Sequence, residues 1–231
     1  FVRETAPANS FAAYLQNLPL KPAGAPVLLF NGEKKARQDV HAAVIDLDVG
    51  EENLQQCADA VMRLRAEHLF QQGRFEEIHF NFTNGFRADY TKWRQGWRIL
   101  VTGNRSEWQR TAQPSNSYEA FREYLKLVFT YAGTLSLSKE MKQVAVENLQ
   151  VGDVFIQGGS PGHAVIVVDV AAHPASGKKV FLLAQSYMPA QEMHVLKNQS
   201  EPALNPWYEL DFGETLNTPE WSFSRKDLKR F

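Results

Sequence analysis

The sequence predicts an α+β fold, and three observations carry that reading. Helical periodicity dominates the first two-thirds of the chain, strand-like runs gather in the last third, and Gly, Pro and Asn-Gly turn signals separate the runs. The expected architecture is a set of helices packed on a mainly antiparallel sheet. With no internal repeat, low-complexity tract or linker, residues 1–231 are expected to form one domain.

Ser10 caps a short helix beginning at Phe11, which Pro19 stops. Val27 to Phe30 reads as a strand that meets the turn dipeptide Asn31-Gly32, with His41 to Asp46 as its return strand. Glu51 to Gln72 is the clearest helix, with Leu54, Cys57, Ala58, Val61, Leu64 and His68 forming one stripe, and Gly73 ends it. Glu77 to Phe82 alternates as a strand and stops at Asn84-Gly85. Tyr90 to Trp97 predicts a short helix leading into Arg98 to Val101. Ser115 or Ser117 caps a second long helix, Tyr118 to Tyr131, and Ser138 to Met141 adds one more turn. Strands are then expected over 153–157, 163–169, 179–186, 192–196 and 207–211, with Trp221 to Phe223 near the end.

Composition narrows the function. Hydrophobic residues make up 44% and charged residues 22%, as in ordinary globular proteins, and the net charge of −1 offers no footprint for nucleic acid or an anionic membrane. No apolar run is long enough to span a bilayer. No phosphate-binding glycine loop is present, and the six histidines and single cysteine show no metal-ligand spacing, so neither metal nor cofactor is expected. Phe1 is not an initiator methionine, which fits a chain that follows a removed leader.

The richest chemistry lies in Val151 to Asp169, two strands joined by a Gly/Pro-rich turn with His163 at the mouth of the second. An imidazole held there by a rigid backbone suits a general base. Cys57 is the matching nucleophile, although its place on the apolar stripe, a turn and a half into the predicted helix, equally suits a packing residue. The next strand would bring Gln185 or Ser186 opposite His163, depending on register. Trp93, Trp97 and Arg98, among other aromatic and basic residues, could line a groove for a glycan or acidic peptide, or form a half-buried surface of stacked arginines. Glu220 and Trp221 read as packing residues.

Four blocks carry a resemblance: Leu54 to Glu67, Phe80 to Gly85, Pro161 to Ala164 and Leu183 to Gln191. Over nearly the whole chain the sequence resembles a bacterial family known as domain of unknown function 4846. Its members look like exported, lipoprotein-like proteins, which implies a periplasmic or cell-envelope location. More distantly, the order Cys, Gly-Asp strand, Gly-His strand and polar residue is similar to that of NlpC-type cell-wall cysteine peptidases, whose fold is papain-like. That similarity implies Cys57 as nucleophile, His163 as base and Gln185 as the residue orienting it. It further implies attack on an amide, such as one in a peptidoglycan stem peptide. From the residues themselves, Trp93, Trp97, Arg98 and Ser186 are the ones expected to contact a peptide or glycopeptide. The alternative is a non-catalytic envelope protein that binds a glycan or peptide in the same cleft.

Overall fold

A computed structural model describes residues 1–231 and is α+β. Five helices form: α1 (Phe11–Gln16), α2 (Cys57–Gln71), α3 (Tyr90–Arg94), α4 (Tyr118–Tyr131) and α5 (Thr134–Glu140). The main sheet has nine strands: β1 (Val2–Arg3), β2 (His41–Val44), β3 (Lys142–Gln143), β4 (Val154–Gln157), β5 (His163–Ala172), β6 (Lys179–Gln185), β7 (His194–Leu196), β8 (Tyr208–Glu209) and β9 (Leu228–Arg230). Its order is β2-β7-β6-β5-β4-β9-β3, every pairing is antiparallel, and β1 and β8 add to β5 and β6 off this path.

The sheet separates two apolar layers. Ala164, Ile166 and Val168 of β5 join a cluster of 30 buried residues that includes most of the core of α2 and α4. Val165 and Val167, pointing the other way, join a cluster of 13 with Phe181, Phe223 and Leu228. The period-two alternation of a strand buried on both faces produces this division.

Several boundaries differ from the sequence expectation. The side chains of Ser10 and Ser117 cap α1 and α4 by accepting hydrogen bonds from the backbone N–H groups of Ala13 and Ala120, and α4 has the expected limits. The helix expected over 51–72 starts only at Cys57, because residues 51–56 are held in turns by the side chains of Asp59 and Arg63. Asn31-Gly32 does form a turn, but its flanking segment makes only isolated bridges at Leu28 and Leu29. The expected return strand β2 pairs instead with β7, so that hairpin does not form. The extra turn of helix expected at 138–141 begins earlier, at Thr134.

The turn between β4 and β5 is shaped by close packing on α5. A Cβ on Gly158 would lie 2.9 Å from the Ser138 Cβ and 3.1 Å from the Thr134 carbonyl oxygen. One on Gly162 would fall onto Thr134 Oγ1 and within 2.6 Å of the Gly159 carbonyl oxygen. Glycine is needed here for close approach. The hairpin then closes on the pair Gln157–His163.

Candidate active site

Cys57 is the first residue of α2, where the opening N–H groups of a helix have no intrahelical carbonyl. Two contacts stop the helix from starting sooner. The Gln56 backbone is extended and its N–H donates to Asp59 Oδ2 at 3.0 Å. Arg63, completely buried, donates to Gln55 Oε1 at 2.6 Å and to Asp48 Oδ2 at 2.7 Å, and pairs with Glu67 at 3.3 Å. These bonds hold both ends of the 48–55 segment in the turns that precede the thiol. The cysteine is therefore at the helix head and not a turn and a half inside it, and the macrodipole acts on it directly.

The thiol lies beside the backbone N–H groups of Ala58 and Ala164, which favour its thiolate. Burial opposes them and, with the Asp59 carboxylate, pushes Cys57 up to about 11. Ala164 follows His163, so the thiol lies beside the residue next to the histidine; Ala164 faces the layer of α2 while the His163 ring packs on Trp221 and Phe223, and no hydrogen bond joins thiol and imidazole. Tyr187 touches both surroundings: its ring centroid is 4.8 Å from that of His163, and the Cys57 charge acts on its hydroxyl.

His163 Nε2 lies 2.8 Å from Gln185 Oε1. The register of β5 and β6 ends with Ala184 opposite Ile166. Continued, it puts Gln185 opposite Val165, one diagonal step from His163 on the same face. Ser186 takes the other face. It is fully buried, and its hydroxyl faces the carbonyl oxygens of Gln55 at 3.1 Å and Gln191 at 2.8 Å, stitching the end of β6 to the segment ahead of Cys57.

The polar network continues beyond Gln185. Its Nε2 donates to Glu220 Oε2 at 2.7 Å and faces His194 Nε2 at 3.4 Å, while Glu220 Oε1 pairs with Lys35 Nζ at 2.7 Å. Trp221, next in sequence to Glu220, tilts against His163 with centroids 5.4 Å apart. Its indole N–H donates to Gln157 Oε1 at 3.0 Å, on the residue paired with His163 across the hairpin. Glu220 and Trp221 thus do more than the packing role expected of them. Burial holds His163 at about 4, with the Gln185 bond acting against the shift and Lys35 adding to it. Burial likewise takes His194 to about 3. Both rings are neutral near pH 7, and the Cys57 thiol is protonated.

The aromatic and basic residues singled out with this site lie in another arrangement. Trp93 is buried, its indole N–H donates to the Ala120 carbonyl at 2.9 Å, and the Arg98 guanidinium sits 4.1 Å from its ring centroid. Arg98 also donates to the carbonyls of Trp93 and Trp97, and Trp97 is half-buried at the head of a separate hairpin, Trp97–Thr102 with Arg105–Arg110. Trp93 and Arg98 satisfy each other. No group of three His, Cys, Asp or Glu side chains is gathered in metal-binding geometry, and no helix is long and apolar enough to cross a membrane.

A family model described as a domain of unknown function (4846) matches residues 1–230. No curated protein and no solved structure matches the chain.

Proposed function

We propose, for a chain that belongs to the family of domain of unknown function 4846, a thiol hydrolase that cleaves an amide with Cys57 as nucleophile and His163 as general base. The observation that carries the reading is the bond from His163 Nε2 to Gln185 Oε1, which leaves the Nδ1 lone pair free on the residue next to Ala164, whose N–H lies beside the thiol. Because both groups are neutral at rest, the proton moves during attack and not before it. Cys57 Sγ bonds to the amide carbonyl carbon while its proton passes to His163 Nδ1. Backbone N–H groups at the head of α2 are placed to stabilise the oxyanion. His163 then returns the proton to the leaving nitrogen as the C–N bond breaks, leaving a thioester that water hydrolyses through the same base. The likeness to NlpC-type peptidases supports a papain-like arrangement. With the exported character of the family it also supports a cell-envelope setting and a peptidoglycan stem peptide as substrate.

One observation favours a second reading, a non-catalytic envelope protein that binds a peptide in this cleft: no hydrogen bond links the thiol and the imidazole. A single experiment separates the two. The rate of Cys57 alkylation by iodoacetamide is followed against pH in the native protein and in His163→Ala. A neutral-pH rate that disappears with His163 supports the hydrolase, and stem-peptide cleavage is then assayed by release of a free amine. A thiol that reacts only on unfolding, or equally in both proteins, removes the hydrolase and leaves the binding protein.

A further inference from the structure

We propose that Glu220, fixed by Lys35, is a positioning residue that decides which nitrogen of His163 carries the proton. The proposal deepens the hydrolase reading, since the choice of nitrogen determines whether the imidazole can accept a proton from Cys57.

A glutamine side chain can present either its carbonyl or its NH2 end to a ring nitrogen, with opposite consequences. If the carbonyl faces Nε2, that nitrogen carries hydrogen and Nδ1 is a base. If the NH2 faces it, hydrogen moves to Nδ1 and the base is lost. Gln185 alone does not settle the matter, but its surroundings do. Its outer end meets Glu220 Oε2 at 2.7 Å and His194 Nε2 at 3.4 Å. His194 Nδ1 lies 2.9 Å from the Glu192 carbonyl oxygen and must donate to it, so its Nε2 is an acceptor. Two acceptors therefore face the outer end, which must be the NH2, and the carbonyl turns to His163 at 2.8 Å.

Lys35 keeps the arrangement in one state. With side chains only 6% and 9% exposed, Lys35 and Glu220 form a buried ion pair. As the carboxylate of this ion pair, Glu220 is an acceptor at both oxygens and offers no donor towards Gln185. The pair is neutral as a whole, and of its two charges it is the Lys35 ammonium that acts on the imidazole, favouring the neutral ring. A buried pair of this kind adds little stability compared with apolar residues of similar volume. Orientation gives it a physical role that stability does not.

The test compares two double variants that both lack the ion pair and differ in one acceptor: Lys35→Met with Glu220→Leu, and Lys35→Met with Glu220→Gln. Replacing both charges together avoids stranding one of them. Long-range proton–nitrogen correlations of the histidine rings at pH 7 report the tautomer directly. The wild type is expected to show hydrogen on Nε2 alone. The double variant with Glu220→Leu is expected to show a mixture with hydrogen on Nδ1, and a neutral-pH alkylation rate lower by about tenfold or more. The double variant with Glu220→Gln, which retains an acceptor for Gln185, is expected to recover the Nε2–H form and most of that rate. A folded Glu220→Leu double variant with the wild-type tautomer overturns the proposal. If neither variant folds, the wild type decides: hydrogen on Nε2 with an ionised Glu220 in its carbon spectrum supports it, and hydrogen on Nδ1 or a protonated Glu220 overturns it. The tautomer needs no substrate, so a tautomer that follows Glu220 beside an unreactive wild-type thiol removes the hydrolase and leaves this positioning role standing.

Discussion

Arg63, inside α2, donates a 2.6 Å hydrogen bond to the Oε1 of Gln55, two residues ahead of the helix that begins at Cys57. A helix that reaches back to pin its own approach fixes where it begins. Truncating Arg63 to Ala strands the Gln55 side-chain carbonyl and leaves the buried Glu67 carboxylate with only the Tyr118 hydroxyl at 2.6 Å and Arg122 at 3.9 Å, so destabilisation of about 3 kcal/mol is expected. Urea unfolding followed by circular dichroism measures it. A loss below about 1 kcal/mol would show that the pin has no energetic weight.

The alkylation profile of Cys57 has a specific expected shape. Burial puts the thiol at about 11 and His163 at about 4. Base-assisted reaction should rise as pH climbs past about 4, stay level through neutrality, and give way to a second rise as bare thiolate forms towards 11. His163→Ala should erase the plateau and keep the alkaline rise. A single rise centred near the free-cysteine value of about 8.5 would contradict the burial of the thiol.

Asp59 should shape stability against pH. Burial raises its carboxyl from 3.8 to about 8, so the folded protein keeps a proton that the unfolded chain has released. Between about 6.5 and 8 stability should therefore fall as pH rises, by up to about 1.4 kcal/mol per unit for one proton. Below 6.5 the sign reverses: the unfolded chain protonates His163 and His194, held by burial at about 4 and 3, and their two protons outweigh that of Asp59. Burial lowers His68 and His79 too and adds to this acid limb, while Glu140, raised by burial, partly offsets it. Stability should peak near pH 6.5, and Asp59→Asn should remove the decline on the alkaline side. Denaturant midpoints between pH 5 and 8 check this, and an unchanged decline in the variant would sink it.

Gly162→Ala should harm both the fold and the site. Its Cβ would press on Thr134 Oγ1 and lie within 2.6 and 2.8 Å of the carbonyl oxygens of Gly159 and Gln157, two of the three being backbone atoms. A loss of about 1–3 kcal/mol is expected, with a weakened alkylation plateau because His163 is the next residue. Thermal unfolding with alkylation at pH 7 reads both effects, and a wild-type result in each would show that the turn can relax.

What the sequence made legible was local. The α4 helix follows from its cap and apolar period, and the hairpin that ends in His163 follows from its glycines and alternation. The head of α2 was misread because Leu54 fits the helical stripe, while the contacts that hold residues 48–55 in turns come from Arg63. His163 and Gln185 could be matched because they sit on neighbouring strands of one sheet. In the sequence Lys35 is one charge among several in the polar stretch Glu33 to Asp39, and Glu220 follows a proline and reads as packing. Only the fold brings them together, so no local pattern announces either.

The Lys35–Glu220 pair spans 185 positions of the chain, and this gives the site a place in time. Local opening of the stretch around Glu220 would release the amide, and while it lasts nothing settles the imidazole proton. The same short stretch then delivers Glu220 to the amide and Trp221 to the ring. Competence therefore lasts only as long as that stretch stays docked, and a protein opened near residue 220 would lose the orientation of its base.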